Sequence, residues 1–324
     1  MSGVTLQEPE DFSTTLHLAH LDHRQRRVQL QIGNRKEIGG ICMTNTYPSL
    51  EGKVGILTGG TSGFGYAMTR ALVGQGAKVA VFSVDELPEA SRVELQAASK
   101  GDFVYSTKDV TTRGASEAMV KETIERFGRL DFVIVNAGLA IRFEESLLTL
   151  SLDKLAESMR MQFEVFTIAF ATLALAAARV MAPRYAALAP DNTGHRPDSG
   201  AIVVTLSETA LSPLRDDLLA YAAAKRAGLS VLESLAAILG PQNIRVNGIA
   251  PGFANTAGPR KFYDRYPEIK ADIEAKAHLK PSFMAPEAIV SAVLYLLTDN
   301  YVTGGVIALD GGYHIELKRY FQGR

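Results

Sequence analysis

From Lys53 onward, short apolar runs rich in β-branched residues alternate with longer stretches whose apolar positions recur at helical spacing. The runs at 54–58, 78–83, 102–106, 132–135, 201–206, 244–249 and 306–309 predict seven strands. Helical segments are expected to begin near Gly63, Leu87, Gly114, Leu152, Leu218 and Pro286. A helix between successive strands means a crossover, because parallel neighbours cannot be joined by a tight turn. The pattern therefore predicts an α/β fold, a doubly wound seven-stranded parallel sheet with helices on both faces. Ligands in such a sheet sit beyond the carboxyl ends of the strands.

Residues 1–47 stand outside this alternation and read as an N-terminal arm on a single main domain at 48–312, with a tail at 313–324. The arm carries His17, His20 and His23, a basic run from Arg24 to Arg27 and an alternating stretch at 28–32. On a helix, two spacings of three spread the histidines over about 240°, too wide to converge on one metal ion. They read as solvated or packing histidines, and no metal site is expected.

Composition narrows the function classes. The 324 residues are 47% hydrophobic with a formal net charge of −1, which removes the clustered basic face that nucleic acid requires. A single cysteine, Cys42, excludes an internal disulfide framework and fits a reducing compartment. The first residues are acidic where a secretory signal would be basic and then apolar. The longest uncharged apolar run, 165–178, is shorter than the ~20 residues of a bilayer span. The expectation is a cytoplasmic protein with no membrane partner.

The stretch 54–65 reads VGILTGGTSGFG: the first strand ends at Thr58 and passes into glycines at Gly59, Gly63 and Gly65 before a helical pattern begins at Tyr66. Taken alone, this strand, glycine-rich turn and helix start reads either as a surface loop or as a phosphate-binding turn. The glycines permit the sharp turn and a close backbone approach, and the first-turn N–H groups face a pyrophosphate.

The spacing TGxxxGxG resembles that of the short-chain dehydrogenase/reductase family, and the family's other motifs follow in order over about 50–312. The resemblance implies a dinucleotide held by Gly59, Thr61, Ser62, Gly63, Phe64 and Gly65. Ser83 and Asp85 would lie at the adenine ribose, Asp109 and Val110 at the adenine, and Asn136, Ala137 and Gly138 in the NAG turn. Val135 stands where the family usually has another Asn. Asp109 also reads as a helix N-cap. Pro251, Gly252 and Thr256 match the turn that meets the nicotinamide, and 253–285 matches the substrate lid, with Phe262, Tyr263, Tyr266 and Phe283 in it. The second strand lacks the expected acid at Ser83, with Asp85 two positions late, and no cation for a 2′-phosphate lies nearby. The missing cation weighs more, so NAD is favoured over NADP.

Tyr221 and Lys225 stand in YAAAK, one helical turn apart and about 6 Å from each other. A phenol with a pKa near ~10 cannot work near neutrality unaided; a Lys charge at that distance is worth about 2.8 kcal/mol at an effective dielectric of 20. The resemblance makes Tyr221 the proton-exchanging residue, which also meets the cofactor, and Lys225 the group that lowers its pKa and holds ribose. Ser207 then orients the substrate oxygen. The family's Ser-to-Tyr spacing is commonly one residue shorter and would fall on Glu208; a carboxylate is not equivalent there, which selects Ser207. Gln162 aligns with the family's proton-relay Asn, with one methylene more.

The implied activity is NAD(P)-dependent interconversion of a secondary alcohol and a ketone on a small-molecule substrate, in a homo-oligomer, dimer or tetramer, built through the helices at 165–178 and after Tyr221. The alternatives are a dinucleotide-binding sensor or scaffold without catalysis, suggested by Gln162 and Val135, and an epimerase or dehydratase that retains its cofactor. The insertion at 182–199 precedes the fifth strand and is expected at the opposite end of the sheet from the site.

Overall fold

The computed structural model describes residues 49–98, 102–196, 198–212 and 215–315. The arm, with its three histidines, and the tail beyond residue 315 lie outside the described residues.

Seven strands form one parallel sheet in the order β3-β2-β1-β4-β5-β6-β7. They are β1 (Val54–Thr58), β2 (Lys78–Ser83), β3 (Phe103–Thr107), β4 (Phe132–Val135), β5 (Gly200–Thr205), β6 (Ile244–Pro251) and β7 (Val306–Leu309). The sequence pattern places the third strand one residue early and the fifth one residue late. β6 runs on through Pro251 because its last residues pair with β7 in a register that joins Pro251 to Leu309.

The crossover helices are α1 (Gly63–Gly74), α2 (Glu89–Ala98), α3 (Ala115–Phe127), α4 (Leu152–Phe163), α5 (Ala169–Ala186), α6 (Leu219–Leu239), α7 (Ala257–Arg265), α8 (Pro267–Lys276) and α9 (Val290–Thr298). The expected helix at Pro286 is a single 3₁₀ turn, Pro286–Ile289, that leads into α9. α7 and α8 occupy the stretch read as a lid.

Strand residues alternate between two cores, as a period of two requires. Ile56, Phe82, Val133, Ile202 and Val246 pack with Met119, Phe170, Leu173 and Leu232 on one face. Leu57, Val81, Ile134, Val203 and Ile249 pack with Met68, Leu72, Val293 and Leu296 on the other. Both faces are covered, so central strands such as β1, β4 and β5 are buried at every position.

α4 and α5 are joined by one wider turn, Glu164–Ile168, into a helix from Leu152 to Ala186. By length and composition it would cross a membrane, but half of its apolar window is buried inside the fold. Phe170, Leu173, Ala177 and Met181 carry it onto the sheet. That is the packing expected of a core helix.

At the amino ends of the strands, Asp131 is 3% exposed. It accepts the Val54 N–H at 2.9 Å and the Tyr185 hydroxyl at 2.6 Å, and Arg129 and Arg184 pair with it. The insertion ends here, with Asp198 paired to Lys53 at 2.6 Å and Ser199 accepting from the buried Arg245 at 2.7 Å. These groups border a cavity of about 250 Å³, remote from the glycine-rich turn. The opposite end of the sheet is left for a ligand.

Candidate active site

The strand order reverses between β1 and β4, so the turns that follow these two strands lie side by side. Gly59 takes φ +68 and Gly63 φ +52, which L side chains rarely adopt. A Cβ on Gly65 would stand 1.8 Å from the Gly59 carbonyl oxygen. Gly60, which the sequence reading passed over, is as constrained: its Cβ would lie 2.3 Å from Leu57 Cδ2. The Thr69 hydroxyl donates to the carbonyls of Gly60 and Gly65 at 2.9 and 3.0 Å and holds the turn closed.

Ser62 begins α1 in an extended conformation and gives the helix no side-chain cap. The first-turn N–H groups, with the positive end of the helix dipole, are thus available to an anion. Thr256, at the start of α7, comes within 3.6 Å of the place where a Gly63 Cβ would be. The two ends of the predicted cofactor set therefore face each other. A backbone clash cannot be relieved by a rotamer change, so Gly65→Ala is expected to weaken dinucleotide binding at least about tenfold and to lower Tm. Fluorescence titration and a thermal melt check this.

Asn136 links the strand ends, donating to the carbonyls of Thr58 and Gly59 at 3.3 and 3.2 Å and accepting from Thr205 at 3.1 Å. Ala137 N–H and Asn136 N–H both donate to the Thr58 hydroxyl. A Cβ on Gly138 would meet the Phe166 ring at 2.0 Å. The NAG turn is thus a brace between strand ends, with Gly138 packed directly on the Phe166 ring, and the nonpolar Val135 before it is buried in β4.

At the end of β2, Ser83 is buried and shares a hydrogen bond with Thr61 at 3.0 Å. Asp85 is exposed, and its carbonyl accepts from Tyr105 at 2.9 Å. Asp109 accepts the N–H and the hydroxyl of Thr111 at 2.9 and 2.7 Å, a turn-forming role, and Val110 packs on the core beneath. Pro251 and Gly252 close the far side, where the Gly252 N–H donates to Leu309.

Ser207, Glu208, Tyr221 and Lys225 converge at the ends of β5 and α6. Ser207 and Glu208 are 4% and 5% exposed, and the Ser207 hydroxyl donates to Glu208 at 2.6 Å. Lys225 Nζ donates to the Thr205 carbonyl at 2.6 Å and lies 5.6 Å from the Tyr221 ring centroid, close to the separation expected from helical spacing. Phe166, on the wide turn between α4 and α5, meets the Tyr221 ring edge-on at 5.2 Å and receives Lys225 Nζ at 3.8 Å from its centre. Only the tertiary fold identifies Phe166, since one aromatic in an apolar run has no distinguishing pattern.

Burial pushes the Tyr221 phenol up and the Glu208 charge adds to this, while the neighbouring Ser207 hydroxyl and the charge of Arg142 oppose it. Burial pulls Lys225 down to about 7, with Glu208 opposing. Burial thus works against the charged form of the lysine expected to acidify the phenol. Gln162 is buried, donates to the Leu139 carbonyl at 3.2 Å and leaves its Oε1 with no partner among the described residues.

Over this floor stand residues that the motifs did not mark. Arg142 and Arg215 both pair with Asp217, and the Arg142 guanidinium lies 4.2 Å from the centre of the Phe262 ring on α7. Phe253, Tyr263, Phe283 and Tyr313 pack edge to face beside them. The aromatic content of 253–285 foreshadowed this wall; nothing foreshadowed the two arginines. Among the described residues no group of His, Cys, Asp and Glu could hold a metal ion.

A parallel sheet with an open glycine turn at its switch point and a Ser, Tyr and Lys beside it defines a dinucleotide-dependent class of proteins. The comparisons agree. Residues 59–314 match the family model described as enoyl-(acyl carrier protein) reductase. Short chain aldehyde dehydrogenase 1 of Euphorbia lathyris is 31% identical over 290 residues, covering 86% of this chain and 94% of its own. Secoisolariciresinol dehydrogenase of Forsythia intermedia is 30% identical over 274 residues, covering 82% and 90%. The NADPH-dependent 3-quinuclidinone reductase of Rhodotorula rubra superposes with a TM-score of 0.71 at 25% identity, covering 83% of this chain and 93% of that one. The chain belongs to the short-chain dehydrogenase/reductase family of NAD(P)-binding oxidoreductases.

Proposed function

We propose that this protein interconverts a secondary alcohol and a ketone on a small molecule, with Tyr221 exchanging the proton. The observation that carries this reading is the meeting of Ser207, Tyr221 and Lys225 at the carboxyl end of β5, the end of the sheet that also carries the glycine turn. That end suits a dinucleotide, because the capless start of α1 offers donors to a pyrophosphate and the glycine turn permits a close backbone approach.

The nicotinamide, when bound, supplies a hydride acceptor or donor. In oxidation, Tyr221 as phenolate takes the hydroxyl proton while the carbinol hydrogen leaves as hydride; in reduction, Tyr221 returns the proton to the carbonyl oxygen. Ser207 donates to the same oxygen and stabilises the charge on it. Lys225 holds a cofactor ribose and, where charged, favours the phenolate. Gln162 takes the place of the family's relay Asn, and its buried Oε1, without a partner among the described residues, is an acceptor a relay water would use. α7, tied to the loop after β4 by Arg142 on Phe262 and by Arg265 on Glu144, closes over the substrate.

We favour NAD over NADP. Asp85 presents an exposed carboxylate at the end of β2, and the cations on the flanking helices, Arg70 and Arg92, are engaged by Glu94 and Glu89. The cofactors printed in the neighbours' names run the other way: the Rhodotorula reductase is NADPH-dependent. A gluconate 5-dehydrogenase described as putative, from Beutenbergia cavernae, holds NADP. Self-association through the outward side of α5, where Leu175 and Val180 are exposed, and residence in a reducing cytoplasm complete the reading.

The test is NAD(P)H absorbance followed with a panel of ketones and alcohols, each with both cofactors. Turnover with at least about tenfold higher kcat/KM for NAD is expected. Binding of the dinucleotide without turnover of any substrate would favour a sensor, and product isomerisation without net NADH change an epimerase or dehydratase.

A further inference from the structure

A hydroxyl owns one proton and two lone pairs, and the surroundings of Ser207 use them in a way that restricts its role. Its proton goes to Glu208 Oε2 at 2.6 Å, and one lone pair accepts the Thr209 N–H at 3.3 Å. An ionised carboxylate can only accept, so while Glu208 is charged the Ser207 proton is turned away from any substrate oxygen. A protonated Glu208 reverses the same contact: the carboxylic acid donates to the second lone pair of Ser207, whose own hydrogen is then released toward Tyr221 and the substrate.

We propose, resting on the oxidoreductase reading above, that Glu208 is a positioning residue that commands Ser207, and that only protonated Glu208 leaves the Ser207 hydrogen available to the substrate oxygen. The transition state is common to both directions of the reaction, so the requirement applies to oxidation and reduction alike.

The neighbours support a carboxyl that readily holds a proton. Glu208 lies at the base of the site, and burial pushes its pKa up, against the Ser207 hydrogen bond and the charges of Arg215 and Arg142. Neither arginine forms an ion pair with Glu208 among the described residues, because Asp217 takes both. From α6, Tyr221 and Lys225 face it; Tyr263 faces it from α7 and Tyr313 from the segment after β7. Burial raises both tyrosines, Tyr263 to about 12, so neither carries a charge near neutrality. Glu208 thus sits where a second hydroxyl donor would do the same service, and a carboxyl does it only when protonated.

The experiment compares wild type and Glu208→Gln by the pH dependence of kcat/KM in the oxidative direction. There Tyr221 makes the rate rise with pH, so a descending limb cannot come from the phenol. The Glu208 charge raises both Lys225 and Tyr221, so its removal lowers both in the variant; each of these shifts changes the ratio by a limited factor that levels off with pH, unlike a continuing climb. The Gln amide donates to Ser207 at every pH, so the ratio of Glu208→Gln to wild type is expected to climb about tenfold per pH unit above the Glu208 midpoint. A ratio that stays flat with pH overturns the proposal. NADH binding and a cooperative melt establish that the variant is folded; if it is not, Glu208→Ser, which also removes the carboxylate, carries the same expectation. A wild type without turnover would bring down the oxidoreductase reading and this proposal with it, whereas an active wild type with a flat ratio would bring down the proposal alone.

Discussion

Tyr221→Phe is expected to lower kcat by about 10²- to 10⁴-fold while the dissociation constant for the dinucleotide changes by less than about threefold. The substitution removes one oxygen and leaves the ring, so the edge-on contact with Phe166 at 5.2 Å and the apolar filling beside Lys225 survive. On the proposed reading binding relies on the glycine turn, the NAG brace and the Pro251 turn, and the substitution alters none of these residues. Single-turnover absorbance and fluorescence titration separate the two quantities. Residual turnover above about a tenth of wild type would remove Tyr221 from the proton path. The same comparison bears on how the phenol becomes acidic. In the chain alone burial outweighs the opposing influences on the phenol and pulls Lys225 down to about 7; a bound oxidised nicotinamide would add a positive charge that favours the phenolate.

The largest effect on stability is expected at the other end of the sheet. Asp131→Ala leaves Arg129, Arg184 and the Tyr185 hydroxyl without their shared buried acceptor, and frees the Val54 N–H at the start of β1. Removing one partner of a buried ionic cluster costs about 3–5 kcal/mol. Urea unfolding at neutral pH reads the loss directly, and a change below about 1 kcal/mol would show the cluster to be ornamental. The pH dependence has a definite sign. Burial works to raise the Asp131 pKa, but Arg129, Tyr185 and the Val54 N–H outweigh it and leave the folded value below the ordinary 3.8. A carboxyl depressed by folding contributes stability above its unfolded pKa and loses it as pH falls through the folded one. Wild type should therefore lose ground to Asp131→Ala below about pH 4.

Much of the fold was legible because its signals are local. Alternation of strand-like and helical periods marks a crossover sheet wherever it occurs, and six of the seven strands both begin and end within a residue of where the pattern puts them. β6 outruns its pattern because pairing with β7 carries it through a proline that sequence reasoning treats as a stop. The glycine turn was legible because positive φ and backbone contact exclude a Cβ; Gly60 escaped because its constraint comes from Leu57 and Val81 side chains across the turn.

The chain's own order of residues determined the parallel sheet, the edge at which a ligand must sit, and the one-turn spacing of Tyr221 and Lys225. These follow from backbone periodicity and steric exclusion, which act over a few residues. Tertiary structure alone decided that Glu208 and Ser207 share one hydrogen, that Asp217 draws Arg142 and Arg215 away from Glu208, and that Lys225 is stripped of water against Phe166. Protonation and hydrogen-bond direction depend on which charges and apolar groups surround an atom, and those surroundings are assembled here from β5, α6, α7 and the loops after β4 and β7, segments far apart along the chain.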